Sequence, residues 1–77
     1  METKYIYEIW GYLDAENPES PEIRETACRK AEAIKEGKRM SKEYPLVEVN
    51  RIEVDENENI VSDAECPQAM WKNGKRI

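Results

Sequence analysis

SPEIRETACRKAEAIKEGKRMSKE, residues 20 to 43, carries the signals of a helix. Ser20 is a good helix cap, and Pro21 suits the first helical position. Glu22 and Glu25 would then sit in the first turn, where the positive end of the helix dipole favours carboxylates. Ile23, Ala27, Ala31, Ile34 and Ser41 recur at the spacing of one helix face. Read this way, the stretch is a single helix ending at Lys42 or Glu43. Tyr44-Pro45 stops it, because the residue before a proline is pushed out of the α region. Gly37 costs about 1 kcal/mol of helix propensity relative to alanine, so it either lets the helix sit close to a sheet or marks an early end.

Upstream lies KYIYEIWGYL, residues 4 to 13, which has a strand's residue types but almost no polar face. Glu8 sets its polarity, because a lone carboxylate is costly in a dry core. Tyr7, Ile9, Gly11 and Leu13 are therefore expected to face the helix, and Ile6, Glu8, Trp10 and Tyr12 to face away. Gly11 could be the small position that matches the helix. Between the two lies a polar loop, DAENPES, residues 14 to 20.

Downstream, LVEVNRIEV (46 to 54) reads as a second strand whose apolar phase slips. Val47 and Val49 have one parity, Ile52 and Val54 the other. A bulge at Asn50-Arg51 would return all four to one face with Glu48 and Glu53 outward. DENEN (55 to 59) reads as a hairpin turn, and IVS (60 to 62) as a short third strand. Residues 66 to 77 read as an aromatic and basic tail that could fold over the sheet, with a turn signal at Asn73-Gly74. The order is then β-α-β-β, with strands one and two parallel across the helix. This is a small α+β fold, one helix packed on one face of a three-stranded mixed sheet, in a single domain of residues 1 to 77.

Composition narrows the function. Seventy-seven residues with 38% charged side chains and no Phe leave a thin core, and burial against a copy or partner would help such a chain. There is no run of about 18 apolar residues and no signal-peptide pattern, so a cytoplasmic location is expected. In a reducing compartment Cys28 and Cys66 are expected as free thiols, with a disulfide the lesser alternative. The net charge of −5 is uneven: residues 29 to 42 carry six basic and two acidic groups within an acidic background. That balance weighs against nucleic-acid binding.

The chain has no His, which excludes Ser-His-Asp and Cys-His catalysis and imidazole zinc sites. Its three glycines are too far apart for a phosphate loop. Residues 55 to 66 place Asp55, Asn57, Asn59 and Asp63 at calcium-loop spacings, but Ile60 stands where glycine is required and Cys66 where glutamate is. An acidic turn is expected, with no metal and no cofactor. Arg29, Lys30, Lys35, Lys38, Arg39 and Lys42 read as a solvated helix face that complements the dipole. No carboxylate pair sits in a recognisable pocket, so no enzyme is expected.

These observations lead to a non-enzymatic protein-interaction module that binds itself or another protein. Trp10, Tyr12 and Trp71 would be the anchors on the outer sheet face, with Glu8, Glu48 and Glu53 as the polar rim. The tail, through Met70 and Trp71, could instead cover that face. A flat ligand or unpaired base could stack there, although the acidic rim opposes it. Two alternatives use charge. One is an acidic mimic of nucleic acid built on Asp55, Glu56, Glu58, Asp63 and Glu65. The other is a weak nucleic-acid binder that uses the basic helix and tail.

Overall fold

The computed structural model describes residues 4–57, 59–61 and 66–77. Five strands and one helix follow one another as β1 (Lys4–Tyr12), β2 (Ile23–Ala27), α1 (Lys30–Met40), β3 (Leu46–Val54), β4 (Pro67–Lys72) and β5 (Lys75–Arg76). The strands form one sheet in the order β2-β1-β3-β4-β5, and every neighbouring pair is antiparallel. This corrects the three-stranded mixed sheet expected from the sequence, and three local readings account for the difference.

The first is the helix start. The chain from Ile23 to Ala27 pairs with β1 from Gly11 to Tyr7, and the amide of Glu22 donates to the carbonyl of Gly11 at 2.8 Å. The helix begins only at Lys30. Arg29, in extended backbone, precedes it without a side-chain cap, and the amide of Ala33 donates to the carbonyl of Arg29. Ile23 and Ala27 pack on the core from a strand. Because β2 and β3 flank β1, they run parallel to each other, and α1 links them by passing over β1.

The second is the parity of β3. Its register with β1 is unbroken over nine pairs, from Lys4 opposite Val54 to Tyr12 opposite Leu46. No bulge sits at Asn50-Arg51 on that side. The irregularity is against β4, where Val49 opposes Ala69 but Asn50 opposes Pro67. Side chains therefore alternate strictly along β3. Val47 and Val49 face the helix, whereas Ile52 and Val54 face the other way.

The third is the tail, which is not laid over the sheet. Residues 67 to 76 form its last two strands. Pro67 occupies the first position of β4, where its missing N–H costs little. Asn73 and Gly74 both adopt positive φ, 53° and 83°, and close the two-residue turn to β5. The amide of Asn73 donates to the carbonyl of Pro45 at 2.8 Å, tying that turn to the start of β3. The expected third strand at 60 to 62 reduces to a single bridge between Ile60 and Val54. Ser62 lies outside the described residues.

The core lies between α1 and one face of the sheet. It gathers Ile9, Ala33, Met40, Val47, Val49, Ala69 and Trp71, with Tyr7, Ile23, Ala27, Ile34 and Tyr44 packed around them. Tyr7, Ile9 and Gly11 face the helix, while Leu13 lies beyond β1 and is exposed. Two glycines set the spacing. A Cβ at Gly37 would lie 2.6 Å from Trp71 Cζ3 and 3.0 Å from Val49 Cγ2. One at Gly11 would lie 2.9 Å from Ile23 Cγ2 and 3.0 Å from Tyr44 Cγ.

Alanine at an exposed helical glycine is stabilising by about 1 kcal/mol. At Gly37 the collision with Trp71 reverses the sign. Gly37→Ala is expected to lower the stability by about 1–3 kcal/mol, the usual range for overpacking, as read from the urea midpoint. A rise in midpoint would show that the helix does not rest on Trp71.

Candidate functional site: the open sheet face

The face of the sheet turned away from α1 is built from rows that cross the strands. Arg24, Trp10, Glu48 and Met70 form one row across β2, β1, β3 and β4, and Thr26, Glu8, Asn50 and Pro67 form the next. On one side of these lie Tyr12, Leu46 and Lys72. On the other lie Ile6 with Ile52, then Lys4 with Val54. The face is thus apolar towards both ends and polar in the middle, where Trp10 stands among charges.

Trp10 is half-buried and held from two sides. Its indole Nε1–H donates to Glu8 Oε1 at 2.9 Å. The Arg24 guanidinium lies over its ring, 5.3 Å from the centroid. Glu8 and Trp10 are two residues apart on one strand, so they point to the same side, and Arg24 sits directly opposite Trp10 on β2. Arg24 escapes notice in the sequence because a helix from Ser20 removes it from the sheet. Met70, read as part of a tail, occupies the far end of the Trp10 row.

Four of the six expected site residues share this face: Glu8, Trp10, Tyr12 and Glu48. Tyr12, however, is only 7% exposed and offers little surface. Trp71 and Glu53 are on the other side. Trp71 is a core residue beneath Gly37, 4% exposed, with Arg76 over its ring at 5.2 Å. Glu53 opposes Tyr5 on the helix side, the side on which Arg51 stacks over Tyr5 at 4.5 Å. Both displacements follow from the strict alternation of β3 and from β4 being a strand.

Asn50 lies at the centre of the open face and is fully buried. Neither its amide nitrogen nor its amide oxygen has a hydrogen-bond partner. A buried polar group left unpaired costs about 1–3 kcal/mol. The strand interior gives the side chain no local backbone group to pair with, because β3 is hydrogen-bonded on both sides there.

The acidic turn is internally engaged. Asp55 Oδ1 accepts from the amides of Asn57 at 2.8 Å and Asn59 at 3.0 Å, while the Asp55 amide donates to the Asn59 carbonyl. Those bonds, first the one from the Asn59 backbone, hold the Asp55 carboxyl below its ordinary pKa. Glu58, Asp63 and Glu65 lie outside the described residues. Among the described residues no cluster of three Cys, Asp or Glu side chains could hold a metal ion. Cys28 is exposed, Cys66 is half-buried, and both are free. No helix of the described residues is long and apolar enough to cross a membrane. On α1, Arg39 pairs with Glu36 and Glu43, and the Glu36 carboxyl is pulled below its ordinary pKa by its hydrogen bond from Arg39.

Comparison with protein-family models, with curated proteins and with solved structures finds no match to this chain.

Two outcomes follow. Asn50→Leu removes both unpaired polar atoms at similar volume, and it should raise the urea midpoint; a fall would mean that the amide is satisfied in solution. Asp55→Ala should destabilise the protein equally at pH 7 and pH 5. Because the folded-state pKa is depressed, the stabilisation is present above the unfolded value and is lost as pH falls through the folded one. The gap between variant and wild type should therefore close below about pH 4, followed by thermal melts.

Proposed function

We propose that the chain is a non-enzymatic protein-binding module whose contact surface is the open sheet face centred on Trp10. The observation that carries this reading is the part-exposed apolar patch of Ile6, Trp10 and Met70 on the side of the sheet away from the helix. The helix packs on one face alone, yet β1 and β3 carry large apolar side chains on both. Ile6, Trp10 and Met70 are half-buried on the open side, where a solvated face would carry polar groups.

The residue types suit a contact surface. Trp and Arg are enriched among the residues that dominate binding energies, and Met among interface residues generally. Arg24 and Glu8 fix the indole in one orientation, which reduces the side-chain entropy lost when a partner docks. The rim that accompanies Trp10 is Glu8 and Glu48, with Arg24 and Lys72 on the flanking strands. Catalysis finds no support here, since among the described residues this face presents no nucleophile beside a base.

A contact residue and a core residue respond differently to truncation. Trp10→Ala should leave a cooperative fold and cost about 1 kcal/mol, the scale of one cation–π contact and one hydrogen bond. Trp71→Ala should cost about 3–5 kcal/mol, as large aromatic truncations in a core do. Urea unfolding of the two variants side by side decides it. If Trp10→Ala is as damaging as Trp71→Ala, Trp10 is a core residue and the reading fails.

A further inference from the structure

We infer that the flank of α1 beside β5 is a docking surface for an extended acidic segment of another protein, a surface separate from the one around Trp10.

The charges of α1 are sorted by flank. Gly37 lies over Trp71 of β4, and Ser41 reaches the β4–β5 turn, where a Cβ at Gly74 would stand 3.9 Å from the Ser41 carbonyl oxygen. Met40 closes over Gly11 on β1. The side of α1 that carries Gly37 and Ser41 therefore faces β5. The helical turn puts Lys38 and Lys42 on that side and Lys35 along the top. The opposite flank, beside β2, carries the acids. There Arg39 pairs with Glu36 and Glu43 and also feels the charge of Glu25 on β2. Arg76 of β5 completes the basic side, with its guanidinium held over the Trp71 ring at 5.2 Å.

Lys35, Lys38, Lys42 and Arg76 are all exposed, and none of the ion pairs among the described residues involves them. This arrangement works against the free chain. Lys35 and Lys38 are three apart, Lys38 and Lys42 four apart, and like charges at those spacings repel. The helix dipole compensates Lys38 in the last turn, but its effect does not extend to Lys35 or Arg76. Carboxylates from outside would relieve the repulsion.

The width of the surface selects the occupant. The charge changes sign across one helix diameter, about 10 Å. Duplex nucleic acid, with a phosphate charge about every 1.7 Å along its axis, would also lie against the acidic flank and be repelled there. An extended peptide, about 4.8 Å wide, stays on the basic side. Lys35 to Lys42 spans about 10 Å along the axis at about 1.5 Å per residue. Alternate residues of an extended chain recur about every 6.6 Å, so acids at alternate positions over a few residues match the row. Exposed pairs are weak and screened by salt, so the contact is a reversible one.

The test is fluorescence anisotropy of a labelled peptide of alternating Glu and Ser, titrated with the full chain at about 50 mM and about 200 mM salt. The peptide should bind at the lower salt and be released at the higher. Lys38→Glu together with Lys42→Glu should weaken binding at least about tenfold, and Arg76→Glu about threefold, each with an unchanged circular dichroism spectrum. Lys4→Glu, a matched reversal at the far end of β1, should change it less than about twofold. Equal losses from Arg76→Glu and Lys4→Glu would mean that only net charge is read, and would overturn the surface. A peptide that fails to bind at the lower salt overturns it as well, as does a labelled DNA duplex that binds more tightly than the peptide. A chain that associates with itself, and ceases to do so on the Lys38→Glu and Lys42→Glu reversal, gives the surface to an acidic loop of a second copy and also overturns the proposal.

Discussion

The close approach of Gly37 to Trp71 sets where the helix sits on the sheet. The indole is the largest body in the core, and it reaches the helix only because Gly37 has no side chain. That one approach fixes how far α1 stands from the sheet over β3 and β4. The distance in turn lets Met40 and Tyr44 close over Gly11 on β1. A helix interior with a glycine is weak by itself, so this helix owes its place to packing rather than to propensity. The last carbonyls are tied down locally. The amide of Ser41 donates to Gly37 and its hydroxyl to Lys38, so the chain leaves the helix in a fixed direction towards β3.

With the large tryptophan committed to one side, the second tryptophan gives the open side its character. Trp71 and Trp10 are carried on strands two apart, on opposite faces of the sheet, and each has an arginine over its ring. Their surroundings separate their roles. Trp71 is enclosed by helix and sheet, whereas Trp10 stands half-buried between a carboxylate and a guanidinium on the side away from the helix. The charges sort in the same way. The basic stretch of residues 29 to 42 lies along α1, and acidic residues gather in the loops at the sheet's ends. On the side of the sheet away from the helix, Lys72 reaches one of those acidic loops and pairs with Glu16 at 3.4 Å.

The sequence exposed some of this and concealed the rest for definite reasons. The faces of β1 could be read from Glu8, since one carboxylate in an otherwise apolar strand has few places to go. The Asn73-Gly74 turn could be read because type I′ geometry requires φ > 0 at both positions, which few other residues accept. The extent of α1 could not. Ile23 and Ala27 are four apart, and that spacing places two residues on one side of a helix and equally on one side of a strand. With Glu25 between them and charged neighbours outward, a short edge strand leaves no alternating apolar signal. Pro67 and the basic residues after Trp71 obscure β4 in the sequence, although Ala69 and Trp71 have a strand's two-residue spacing. The parity of β3 was legible in the letters. A bulge at Asn50-Arg51 keeps its valines and isoleucine together, whereas the simpler pattern is a strand buried on both faces at different ends. The bulge carries Glu53 to the wrong side, and reading residues 66 to 77 as a tail carries Trp71 with it.

The uninterrupted ladder between β1 and β3 also bears on how the chain reaches this state. Its two ends close loops of very different length. Pairing Tyr12 with Leu46 encloses the segment that holds β2 and α1, whereas pairing Lys4 with Val54 first encloses sixteen further residues. Loop-closure entropy then favours the Tyr12 end by roughly 0.4 kcal/mol, before any side chain is counted. That end also holds Gly11, Met40 and Tyr44, where the helix C-terminus turns into β3. Assembly should therefore zip from the turn beneath the helix outward, with Lys4 and Val54 the last pair to join. In the reverse direction the same pair is the first to fray, so the stability of this small sheet is graded along its strands.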